Sequence, residues 1–300
     1  MTGNLILILS MVVPVVLVVG LLAIWRVWRK ADKRRSPMTF DIRNLPGEHL
    51  RRQVAKHEDA YMEAAALVLA VGPIFLSAWL IARLEAANVD WAAFRFGAGD
   101  ATLAATGLVI LGWSAWRMVR HARARRLYLD GLQAELAVAQ CLTALIADGA
   151  MVFHDLPTGK GNIDHIVIGR GTVFAIETKW RRKPGYKGRD AARVQYDGQQ
   201  LRFPSHTETK PLEQARYQGK WLTEFLESGV GAPVRVVPVL ALPGWYVETT
   251  NRSARHELLV SNCHNASFMM GDKFGPPLSE EMRSRIAHVL TQKYPPIDFQ

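Results

Sequence analysis

Residues 162–180 read NIDHIVIGRGTVFAIETKW. Two apolar segments, IDHIVI (163–168) and TVFAIETKW (172–180), flank Gly169-Arg170-Gly171, a pattern that predicts a β-hairpin. Side chains alternate along a strand, so Val173, Ala175, Glu177 and Lys179 share one face. Phe174, Ile176 and Trp180 take the other. With Arg170-Gly171 as a two-residue loop, opposed residue numbers sum to 341 and Asp164 stands across from Glu177. A three-residue loop would shift the register and break that pairing. Opposed like charges are destabilising, and a bound cation is the simplest compensation.

The flanks extend this hairpin into a domain. Upstream, LQAELAVAQCLTALIA (132–147) predicts a helix, with Glu135 on a sheet-facing stripe with Val138, Ala139, Leu142 and Ile146. MVFHDL (151–156) reads as a strand. Downstream, Asp197-Gly198 joins RVQY to QQLRF as a hairpin, and Pro211 opens a helix to about Leu226. VRVVPVLAL (234–242) is a buried strand, 257–260 another, and 279–292 a last amphipathic helix. The order predicts an α/β domain around a mixed sheet.

The 300 residues carry a formal net charge of +10, which invites a nucleic-acid reading. The charge is unevenly placed. Residues 1–126 hold 17 Lys+Arg against 9 Asp+Glu, whereas 127–300 hold 20 against 18. The N-terminal part also contains three apolar runs, at about 4–26, 61–84 and 101–119, each long enough to cross a bilayer. No charge precedes the first run, which reads as an uncleaved anchor. Segment 26–60 holds ten Lys+Arg, and 117–126 holds Arg117, Arg120, Arg123, Arg125 and Arg126 with no acid. The positive-inside rule then places the N-terminus outside and the C-terminal domain in the cytoplasm. The expected organisation is a membrane part over 1–126, with a cytoplasmic linker at 27–60, and a cytoplasmic domain over 127–300. Two cysteines exclude a disulfide scaffold and a four-cysteine zinc module.

The segments GLQAELAVAQCL, NIDHIVIGRGTVFAIETKW and PLEQARYQGKWL resemble the NERD (nuclease-related) domain, in matching order over roughly 128–245. That family is similar to the PD-(D/E)xK nucleases. The resemblance implies a restriction-endonuclease-like mixed sheet flanked by helices, here preceded by an α-helical membrane part with three transmembrane helices. It implies a catalytic set of Asp164, Glu177, Lys179, Glu135 and Gln214. Asp164, Glu177 and Glu135 would hold Mg²⁺ or Mn²⁺, because hard cations take oxygen ligands. The basic run Arg181, Arg182, Lys183, Lys187 and Arg189 would neutralise phosphates, or rest on lipid headgroups.

The expected function is therefore a membrane-anchored, metal-dependent nuclease acting on nucleic acid, DNA ahead of RNA. The alternative is an inactive nucleic-acid-binding or protein-interaction module tethered to the bilayer. Self-association is left open. His165 should point away from Asp164, as a packing or hydrogen-bonding residue. Thr158-Gly159-Lys160-Gly161 lacks the flanking residues of a P-loop.

Overall fold

The computed structural model describes residues 24, 27–28, 43–85, 95–186, 188–251, 253 and 257–294. The expected span at 4–26 lies outside these except for Ile24, as does Lys187. The chain divides into two units. One combines Met1–Phe40 with Ala55–Arg125, and the other combines Asp41–Val54 with Arg126–Gln300.

Two helices supply the first unit: α1 (Glu48–Glu85) and α2 (Ala98–Ala147), each of which also extends into the second. Both are long and apolar enough to cross a membrane. They run antiparallel, joined by ion pairs Arg125–Glu58 (3.4 Å) and Arg117–Glu63 (3.9 Å). Trp79 Nε1 donates to Asp100 at 2.9 Å. The expected spans at 61–84 and 101–119 lie inside these helices. Two candidate spans, not three, are therefore found among the described residues. The helix expected at 132–147 is not separate but forms the last turns of α2, which continues through Gly131.

The second unit is mixed α/β. Its larger sheet comprises β1 (Met151–Pro157), β2 (Asn162–Ile168), β3 (Val173–Thr178), β7 (Val236–Ala241) and β9 (Leu259–Ser261), in that spatial order. β1, β2 and β3 are antiparallel, and β3, β7 and β9 are parallel. A second sheet holds β4 (Arg193–Tyr196), β5 (Leu201–Arg202), β6 (Thr207–Glu208) and β8 (Tyr246–Thr249), ordered β6-β5-β4-β8; β4 and β5 are the hairpin expected across Asp197-Gly198, whereas β6 and β8 were not expected. Helices α3 (Lys210–Val230) and α4 (Glu280–Lys293) complete the unit.

The hairpin has the expected register. His165 pairs with Ile176 and Ile166 with Ala175, so the numbers sum to 341. Gly169 N donates to Thr172 O at 2.9 Å and closes the loop. A Cβ on Gly171 would lie 2.6 Å from the carbonyl of Gly275, so close backbone approach demands glycine there.

Strand parity then divides the core. Phe174 and Ile176 pack with Val138, Leu142 and Leu145 of α2. Val173 and Ala175 pack on the opposite side with Leu222 and Leu226 of α3 and Ile286 and Leu290 of α4. Burying each such side chain contributes roughly 1.5–3 kcal/mol, so a one-residue slip is prohibitive. On α2 the buried stripe includes Leu145, whereas Ile146, expected in that role, is exposed.

Candidate active site

The same parity that sends Val173 and Ala175 toward α3 carries Glu177 to that side at the end of β3. Strand β3 is buried along its whole length, so Glu177 is buried with it. The C-terminal ends of parallel strands are where open α/β sheets place ligands. Asp164 on β2 is also buried, and its Oδ2 accepts the backbone N–H of Thr178 at 2.6 Å. The carboxylate expected opposite Glu177 is thus held beside it by the backbone of the neighbouring residue.

Glu177 is bound by two side chains. Lys179 Nζ pairs with its Oε1, and Gln218 Nε2 of α3 donates to its Oε2. Gln218 Nε2 also donates to Asn162 O at 2.8 Å, and Gln218 Oε1 is buried without a partner among the described residues. Gln214, the polar residue expected from this helix, is exposed and outside the cluster. One helical turn separates the two glutamines. The buried stripe Leu212, Ala215, Gln218, Gly219 and Leu222 faces the sheet, and Gln214 lies off it.

Glu135 of α2 is buried, and its Oε2 has no hydrogen-bond partner among the described residues. Burial, then the carboxylates of Asp155 and Glu177, push Glu135 up to about 8, against the pull of Lys179. Asp164 is raised well above the ordinary carboxylate range by burial, then by Glu177 and Glu135. Three acidic side chains from three elements therefore share one desolvated site with a single lysine. Asp155, given no role in the strand expected at MVFHDL, is a further buried neighbour.

The donor set is all oxygen, and Glu135 keeps an orphaned buried oxygen, which suits a hard cation. Among the described residues, however, no three His, Cys, Asp or Glu side chains converge closely enough to hold a metal ion as they stand. Lys179 and Gln218 take both oxygens of Glu177, and Thr178 takes one of Asp164.

The basic run beyond β3 is mostly engaged. Arg181 makes a two-pronged bond to Glu208 (2.7 and 2.8 Å), and Arg182 pairs with Asp130. Lys183 and Arg189 are exposed and form no ion pair among the described residues, while Lys187 lies outside them. His165 is buried on the other face and shares a 2.8 Å Nδ1–Nδ1 hydrogen bond with His154, as a packing residue would.

Residues 130–243 match the nuclease-related domain family, NERD. The NERD segment begins just before Glu135 and ends just after β7, so it contains every residue of the cluster. Neither the curated proteins nor the solved structures gave a match.

Proposed function

We propose that the NERD unit is a metal-dependent nuclease that hydrolyses phosphodiester bonds of DNA or RNA, of the PD-(D/E)xK type. The observation that carries this reading is the gathering of Glu135, Asp164, Glu177 and Lys179 at one buried strand end within the nuclease-related segment. Asp164, Glu177 and Glu135 would hold Mg²⁺ or Mn²⁺. When bound, the ion would polarise the scissile phosphate and lower the pKa of a water ligand.

The remaining roles belong to the chain. Lys179 would exchange its contact with Glu177 Oε1 for a hydrogen bond to a phosphate oxygen, countering negative charge as it develops. Gln218 would keep Glu177 Oε2 in place. In this reading Gln218 takes the part first expected of Gln214. Lys183 and Arg189 would neutralise flanking phosphates, with Arg181 and Arg182 serving mainly to brace the loop through Glu208 and Asp130.

The same cluster favours a second reading in one respect. Both oxygens of Glu177 are already satisfied by protein donors, as in a nucleic-acid-binding module without catalysis. The two readings separate in a cleavage assay with the full chain in detergent micelles. A nuclease cuts labelled DNA or RNA with Mg²⁺ or Mn²⁺ and stops in chelator, whereas a binding module gives salt-sensitive retention and intact substrate. We place the NERD unit in the cytoplasm, on the charge asymmetry of the flanking segments. A reporter fused after Gln300 tests this, and an extracytoplasmic signal overturns it.

A further inference from the structure

We propose that Asp155 and Asn162 form a positioning pair for the carboxylate cluster, clamped from outside by residues 43–49; its kinetic and Mn²⁺ readouts rest on the nuclease reading above, its amide-exchange readout does not. Asp155 interrupts the pairing of β1 with β2, which resumes at Leu156, and has a φ of 56°, a left-handed conformation rare for a residue with a Cβ. Such outliers persist where the surroundings over-determine them. Here both carboxylate oxygens are used. Oδ1 accepts from Asn162 Nδ2 and Oδ2 from the backbone N–H of His49, while Asp155 O accepts from Asn44 Nδ2 at 3.0 Å.

Asn162 passes this restraint inward. Its Nδ2 also reaches Asp164 Oδ1 at 3.4 Å, and its carbonyl accepts from Gln218 Nε2, the same nitrogen that donates to Glu177 Oε2. One asparagine is thereby bonded to the clamp, to Asp164 and to the glutamine that holds Glu177. The clamp is itself anchored. Tyr294 Oη donates to Asn44 O at 2.6 Å, and Arg43 bonds the carbonyl of Tyr294. Gly47, at φ +71°, sits so close to α2 that a Cβ there would clash with Leu132 and stand 3.4 Å from Glu135 Oε2. Outer partners that orient carboxylate ligands typically change metal affinity or activity by about 10–100-fold when removed.

Two full-chain variants in detergent micelles test this. Asn162→Ala removes the shared donor. Asp155→Gly removes both side-chain acceptors while suiting the left-handed backbone. In Asn162→Ala we expect kcat to fall about 10–100-fold with KM little changed, Mn²⁺ to bind about 10–100-fold more weakly, and amide exchange at Thr178 to accelerate. Asp155→Gly should lose activity likewise while its melting temperature holds, which a merely structural role would not give. Wild-type kcat, Mn²⁺ affinity and Thr178 exchange in both variants would overturn the proposal. So would an activity loss that only tracks loss of folded protein. If the wild-type chain cleaves nothing, the nuclease reading falls by itself. Thr178 exchange in Asn162→Ala then decides: acceleration supports the positioning pair and unchanged exchange overturns it.

Discussion

Replacing Glu135 by glutamine should stabilise the protein at neutral and alkaline pH. Glu135 is raised from an ordinary 4.5 to about 8, with burial the largest cause. A carboxyl raised in the folded state binds its proton there when the unfolded chain has released it. The contribution of Glu135 to stability is therefore fullest below pH 4.5 and is lost as pH rises from there through about 8. At about 1.4 kcal/mol per unit, the loss by pH 7 is roughly 3 kcal/mol. The uncharged amide of Glu135→Gln carries no such penalty, and the exchange breaks no bond at Oε2, which is already orphaned. For a domain of this size the gain corresponds to about 6–12 °C in melting temperature. The assay is a thermal melt of full-length protein by tryptophan fluorescence at pH 5, 7 and 8. The difference between Glu135→Gln and wild type should be small at pH 5 and widen by pH 8. Subtracting wild type cancels contributions from other titrating groups, except for Asp164, whose own raised pKa partly relaxes in the variant. A difference independent of pH, or a less stable variant at pH 8, would refute the reasoning.

Further outcomes follow from the same geometry. Lys179→Met should abolish cleavage and destabilise the unit by about 3–5 kcal/mol, because it strands a buried carboxylate, measured by urea titration. Gln218→Ala should cut activity about 10–100-fold, the cost of losing an outer partner, while Gln214→Ala at its exposed site stays near wild type in the same assay. Mg²⁺ should raise the melting temperature of wild type but not of Asp164→Asn. Burial lowers both His154, to about 4, and His165. That pair should therefore lose stability as pH falls below 6.5, visible as a flatter acid limb of the melting curve in a His154→Gln, His165→Gln double variant.

How far the sequence carried the site depends on the range of the interactions involved. The hairpin of 162–180 was legible because strand parity and a two-residue loop are local, and they placed Asp164 by Glu177 correctly. Glu135 was legible as a lone acid on an apolar stripe. The choice between Gln214 and Gln218 was not, since both precede or follow apolar neighbours and only helix rotation against β7 separates them. Gly219 settles that rotation: a Cβ there would lie 2.9 Å from Pro238 Cβ, so this face must meet the sheet. In the second sheet the β4–β5 hairpin was legible from Asp197-Gly198, but β6 escaped because it is two residues long and leaves no alternating pattern, and β8 because it pairs with β4 about fifty residues earlier. The partners of Arg181 and Arg182 are 27 and 52 residues away, beyond any local spacing rule. Asp155 was hidden for a related reason. Its role comes from a left-handed backbone and from residues 43–49, more than a hundred positions earlier.

The proposed function turns on whether this buried acidic strand end performs metal-dependent hydrolysis. Full-length wild type and Glu177→Ala should be compared on labelled DNA and RNA with Mg²⁺, with Mn²⁺ and in chelator. We predict multiple-turnover cleavage by wild type that needs the divalent ion and drops by about a hundredfold or more in Glu177→Ala, as loss of a group acting on the transition state does. Equal cleavage by both proteins, or none by wild type on any substrate, would contradict it.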